Sequence, residues 1–142
     1  MKNTQSLETA VKQVLLVDDN QVHQYSLGRH LTDSGFVVMH AHSGAETFAA
    51  ISTQLPDVIL LDINLPDTLG FDICRALKAD AKTTSIPVIF HSATHDTQYA
   101  RSSAQDLGAF SFLSYPIDVD HLINVIHGAI ARSSHDLRPK DD

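Results

Sequence analysis

The sequence predicts an α/β fold: a doubly wound parallel sheet of five strands with helices on both faces. Three observations predict it. Short unbroken runs of branched apolar residues, such as Val14 to Val17 and Val58 to Leu61, read as strands buried on both faces. Stretches with helical spacing follow such runs five times, the alternation that a parallel sheet with crossover helices requires. Two of the runs end on carboxylates, Asp18-Asp19 and Asp62. An unpaired buried carboxylate costs several kcal/mol, so these acids belong at the open rim of the sheet. Chemistry in such folds sits beyond the carboxyl ends of the strands, where the strand order reverses. In the order 2-1-3-4-5, strands one and three are neighbours, and the three acids share one rim pocket.

Taken in order, residues 1–12 are polar with few apolar anchors and read as a loosely held arm. Residues 13–131 form the folded domain. The first strand, Val14 to Val17, leads to Asp19 or Asn20 as helix cap. Val22, Leu27 and Leu31 carry that helix to a stop at Gly35, and Gly28 within it suggests a close approach by another element. Phe36 to Met39 is the second strand. Ser43 and Glu46 match a capping box for a helix through Phe48, Ile51 and Leu55. The third strand spans 58–62, and Pro66 forbids its continuation. Leu69-Gly70 opens a helix bearing Ile73, Cys74 and Leu77, and a loop from Thr83 to Pro87 precedes the fourth strand, Val88 to His91. Asp96 is placed to cap a helix through Ala100, Ala104 and Leu107, stopped by Gly108. Phe110 to Leu113 is the fifth strand, and Asp118 caps a last helix carrying Leu122, Ile126 and Ile130. Residues 132–142 read as a polar tail.

The 142 residues suffice for one domain with a real core. A formal net charge of −7 argues against direct nucleic-acid binding, which relies on Lys and Arg neutralising phosphates. No apolar run approaches the roughly 18 residues of a membrane span, and Met1 to Gln13 lacks the apolar middle of a signal peptide. The expectation is a cytoplasmic protein with no membrane partner. The lone Cys74 reads as a reduced helix residue. The nine histidines form no Cys/His cluster with zinc spacing, although His40 and His42 share strand parity and are candidate ligands.

Three carboxylates within a few ångströms repel, and a hard divalent cation relieves the conflict. Oxygen donors without thiol or imidazole suit magnesium. A carboxylate beside such an ion can attack phosphorus and become an aspartyl phosphate. Ser92, at the end of strand four, can donate a hydrogen bond to the transferred group. Taken singly, Asp18 and Asp19 suit helix capping, and Ser92 suits a turn.

Four segments then carry a resemblance: Leu15 to Asp19; Leu61-Asp62-Ile63-Asn64-Leu65-Pro66 with Gly70; Pro87-Val88-Ile89 with Ser92-Ala93; and Gly108-Ala109 with Pro116. In order and spacing the chain resembles the receiver domain of bacterial two-component response regulators, a flavodoxin-like (βα)5 fold, over roughly residues 13–131. The resemblance implies that Asp62 is the phosphoacceptor. It implies that Asp19 and Asp62 bind Mg2+ directly, with the backbone carbonyl of Asn64, while Asp18 acts through water. Ser92 becomes the switch hydroxyl and Phe112 the switch aromatic. The implied partners are a histidine kinase or phosphotransfer protein and a downstream protein. The latter is met through the face of helix four, strand five and helix five, which includes Tyr99, Arg101, Phe112 and His121. A homodimer is also open, as is membership of a longer protein. No turnover enzyme is implied.

One position departs. Before the proline that follows strand five such domains carry lysine, and this chain carries Tyr115; no Lys or Arg lies between Arg101 and Arg132. The loss removes a charge-assisted contact typically worth about 1.5–3 kcal/mol. Tyr115 either fills the space or donates a phenolic hydrogen bond. His91 and His95 border the site as candidate pH-sensitive cations, with strand alternation turning His91 away from Ser92. Three readings follow: a phosphoaccepting receiver in a phosphorelay, a receiver-like interaction module without regulated phosphorylation, and a small nucleotide or flavin binder. The last is disfavoured because no Gly-rich loop follows strand one.

Overall fold

The computed structural model describes residues 11–94 and 97–136. Ten elements alternate along the chain. They are β1 (Gln13–Val17), α1 (Gln21–Asp33), β2 (Val37–Ala41), α2 (Gly44–Thr53), β3 (Val58–Asp62), α3 (Gly70–Ala79), β4 (Val88–Ser92), α4 (Gln98–Asp106), β5 (Ser111–Ser114) and α5 (Val119–Asp136). The strands form one parallel sheet in the order β2-β1-β3-β4-β5. The order reverses between β1 and β3, so their carboxyl ends open the crevice where a ligand fits.

Strand alternation divides the core into two halves. Leu15, Val17, Ile59, Leu61 and Phe90 face α2, α3 and α4, meeting Ile51, Ile73, Leu77 and Ala104. Val14, Leu16, Leu60 and Ile89 face α1 and α5, meeting Leu27, Leu31, Leu122 and Ile126. Each fully buried aliphatic contributes about 1.5–3 kcal/mol, which anchors β1 and β3 beneath the crevice.

The helix ends follow local chemistry. Asn20 caps α1, its Oδ1 accepting from the His23 amide at 3.0 Å. Ser43 Oγ accepts from the Glu46 amide, and the Glu46 carboxylate accepts from the His42 amide at 2.8 Å, so the capping box closes one residue before the cap itself. Thr97 caps α4, its Oγ1 accepting from the Ala100 amide at 3.0 Å. Asp96, the expected cap, and His95 lie outside the described residues, as does most of the N-terminal arm. Asp118 accepts from the Asp120 amide at 3.0 Å at the start of α5. Gly35 and Gly108 follow α1 and α4 with φ of 98° and 85°, the left-handed backbone that glycine tolerates. Gly28 admits His40: a Cβ there would stand 3.0 Å from the His40 ring. α5 continues through Asp136, into the stretch expected as a tail, and Ser133 donates to the Ser85 carbonyl at 3.0 Å.

Candidate functional site

The register that pairs Val17 with Leu61 sets Asp18, one residue on, level with Asp62. Asp19 follows on the β1–α1 turn. Ligand oxygens of Asp18, Asp19 and Asp62 lie within 4.8 Å of one another, and no other such cluster of His, Cys, Asp or Glu occurs among the described residues. Asp18 is buried, Asp62 half-buried and Asp19 exposed. Together with Asn20, His23, Asn64, Ala93, Thr94 and Tyr115 they line a cavity of about 200 Å³. No Lys or Arg is among these lining residues.

The electrostatic conflict falls on Asp62. Burial first, then the Asp18 and Asp19 carboxylates, push its pKa up to about 7, against the pull of the Asn64 and Ile63 amides. Asp18 is better served. Its Oδ1 accepts from the Asn20 amide at 2.8 Å, and its Oδ2 lies 2.9 Å from His23 Nδ1. The chain after Asp62 is fixed as tightly: the Gly70 amide donates to the Ile63 carbonyl at 2.6 Å, and Asn64 bridges to Leu69. A side chain at Gly70 would put Cβ 2.3 Å from the Asp62 carbonyl oxygen, so only glycine fits there. Asp67, unsuspected from sequence, accepts from the Gly44 and Ala45 amides at 2.8 and 3.0 Å, tying the β3–α3 loop to the N-terminus of α2.

Ser92 ends β4 just beneath the rim. It is 1% exposed, its Oγ accepts from the Thr94 amide at 3.2 Å, and Ala93 and Thr94 rather than Ser92 line the cavity. Phe112 lies outside the cavity, half-buried, with the Arg101 guanidinium 4.7 Å from its ring centre. Tyr99 on α4 is 79% exposed.

Tyr115 lines the cavity beside the acids. Its ring stacks on His23 with centroids 4.3 Å apart and 22° between planes. Its hydroxyl lies 3.3 Å from His91 Nδ1. Burial and the nearby Asp18 and Asp62 carboxylates raise the phenol's pKa, which keeps it protonated. His91 departs from the role of candidate cation. It is 2% exposed, and burial lowers its pKa despite Asp18 Oδ2 at 3.8 Å. It points away from Ser92's side of the sheet and lies behind the cavity lining, with Asp18 and Tyr115 as its polar neighbours. His23, also unsuspected, is a direct partner of Asp18. The other histidine candidates separate: His40 bonds Gln24 through Nδ1, and His42 bonds Glu46 at 3.0 Å. Cys74 is a buried free thiol whose pKa burial raises.

The response regulator receiver domain family matches residues 14–127. Protein PilH of Pseudomonas aeruginosa is 34% identical over 118 residues, covering 83% of this chain and 97% of that protein. The response regulator PleD of Caulobacter vibrioides is 38% identical over 105 residues, 74% of this chain but 23% of PleD. The crystal structure of NtrX from Brucella abortus superposes with a TM-score of 0.80 at 27% identity, over 91% of this chain and 30% of NtrX. A receiver domain protein from Methanospirillum hungatei shares the fold with a TM-score of 0.82 at 20% identity, over 89% and 99% of the two chains. No helix among the described residues is long and apolar enough to cross a membrane. The sheet order, the acidic crevice at its reversal point and these likenesses lead to one conclusion: the chain belongs to the response regulator receiver domain family of two-component signalling.

Proposed function

We propose that Asp62 accepts a phosphoryl group from the phosphohistidine of a kinase or phosphotransfer protein. The observation that carries this reading is the position of Asp62. It stands at the end of a buried strand, with two further carboxylates within 4.8 Å. A carboxylate oxygen of Asp62 forms the new O–P bond as the donor's P–N bond breaks, and the leaving imidazole keeps the electron pair and takes a proton from solvent. Reaction requires the ionised carboxylate, which the raised pKa of Asp62 opposes. An all-oxygen donor set in which one member resists ionisation fits a hard cation such as Mg2+. Asp19, Asp62 and the Asn64 carbonyl would hold it, with Asp18 acting through water. When bound, the ion supplies positive charge for the carboxylates and the phosphoryl oxygens. The Asn20 and His23 contacts of Asp18 keep the second carboxylate oriented while the exposed Asp19 completes the set.

The phosphorylated domain would signal by protein binding through the face of α4, β5 and α5, with Ser92 as switch hydroxyl and Phe112 as switch aromatic. Tyr99, Arg101, Phe112 and His121 lie on this face. A second reading, an interaction module without regulated phosphorylation, draws its support from the absence of any lysine or arginine among the cavity-lining residues. Mass spectrometry after incubation with acetyl phosphate and Mg2+ separates the two. The phosphoacceptor reading expects a mass gain of one phosphoryl group that Asp62→Asn abolishes. Absence of that gain in the wild type, with the protein folded and Mg2+ bound, rejects it.

A further inference from the structure

We propose that Tyr115 takes over the hydrogen-bonding part of the missing lysine's task, its O–H donating to the phosphoryl group on Asp62 from a position set by His23 and His91. The inference rests on the phosphoacceptor reading above and concerns what stands opposite the acceptor. Tyr115 lines the same cavity as Asp62, Asp18 and Asp19. Its ring cannot turn freely. One face stacks on His23 at 4.3 Å, and His23 is itself fixed to Asp18 through Nδ1 at 2.9 Å.

The direction of the phenol hydrogen follows from His91. This imidazole is 2% exposed, and among the described residues its Nε2 has no hydrogen-bond partner. In a neutral imidazole one nitrogen carries a hydrogen and the other a lone pair. Buried N–H groups without an acceptor are rare, whereas an unpaired acceptor is better tolerated. The hydrogen is therefore assigned to Nδ1, which has Tyr115 Oη within hydrogen-bond reach at 3.3 Å, while Asp18 Oδ2 at 3.8 Å lies beyond it. His91 then donates to the phenol oxygen, and the phenol's own hydrogen must find another acceptor. Asp18 and Asp62 are carboxylates that line the same cavity as Tyr115. A phosphoryl group on Asp62 brings further acceptor oxygens into the same cavity. A phenol gives up the full positive charge of an ammonium but keeps a directed donor, whose orientation is fixed before the ligand arrives.

Beryllofluoride with Mg2+ is the probe, since it forms a non-covalent acyl-phosphate mimic on an aspartate. Affinity for the probe is compared between wild type and Tyr115→Phe, which removes one oxygen and leaves the stack on His23. The expected result is a loss of roughly tenfold or more in probe affinity, with affinity for Mg2+ alone unchanged. Equal probe affinity in the two proteins overturns the proposal. Long-range proton–nitrogen NMR of the wild type reads the tautomer independently. A proton on His91 Nδ1 supports the arrangement, and a proton on Nε2 overturns it. If the wild type forms no Asp62-dependent adduct, the phosphoacceptor reading falls and this proposal with it. An adduct that is indifferent to Tyr115→Phe removes this proposal alone.

Discussion

Asp62 is held in a conflict that pH can expose. Its pKa, pushed up to about 7 by burial and by Asp18 and Asp19, lies above the ordinary carboxylate value it regains on unfolding. The folded chain therefore binds the Asp62 proton more tightly than the unfolded chain does. Its contribution to stability is fully present below pH ~4 and is lost as pH rises towards ~7. In chelator, urea midpoints followed from pH 4 to 8 should show this downward component, and Asp62→Asn should lack it. A wild-type profile that parallels the variant throughout would contradict the assignment. Gly70 is a steric counterpart. A Cβ at 2.3 Å from the Asp62 carbonyl oxygen and 3.0 Å from Ile63 Cα meets backbone, which cannot swing aside. Gly70→Ala should cost about 1–3 kcal/mol in denaturant unfolding, the range for overpacked sites, and should lower phosphorylation by displacing Asp62. Wild-type stability together with wild-type labelling would show that the loop yields at no cost.

At the scale of elements, Gln24 of α1 joins the ends of two strands. Its amide nitrogen lies within 3.0 Å of the Leu16, Asp18 and Ala41 carbonyls, and its Oε1 meets His40 Nδ1. Gln24→Leu removes the two N–H donors that three carbonyls share in a buried site, and an expected loss of about 1–3 kcal/mol follows from the desolvated groups left behind. Thermal unfolding at matched pH measures it, and a variant as stable as wild type would mean that the ladder bonds alone satisfy those carbonyls. This bridge shows where sequence reading ends. The central strands were legible because β1, β3 and β4 are buried on both faces and so write continuous apolar runs. The edge strands were read one or two residues early. β2 is only partly buried, and it runs to Ala41 where the sequence reading ended it at Met39, while β5 reaches Ser114 rather than Leu113. The acids were legible as a set, because two buried runs end on carboxylates and the strand order makes those runs neighbours. His23 and Asp67 were not, since a helix-start histidine and a loop aspartate are common and only their partners distinguish them. Strand alternation placed His91 on the correct face, but the crevice draws groups from both faces at the rim.

The whole molecule balances a sheet sealed by two apolar layers against an acidic rim on a chain of net charge −7. The layers fix the backbone that brings the carboxylates together, so their repulsion cannot be relaxed by moving apart. A divalent cation can relieve it. A ligand that binds only the folded state stabilises that state by RT ln(1 + [L]/Kd), about 2.7 kcal/mol at a hundredfold excess over Kd. At neutral pH, Mg2+ in that excess should raise the unfolding temperature by several degrees, and chelation should reverse the gain. Sodium chloride at matched ionic strength should reproduce little of it, because screening acts on exposed charge and Asp18 and Asp62 are largely sheltered. Asp19→Asn should weaken the effect by removing the exposed ligand, and Asp62→Asn should weaken it further. Were the double substitution to gain as much stability from Mg2+ as the wild type, the cation would be acting on the general negative charge. The crevice where β1 and β3 part would then not be its site.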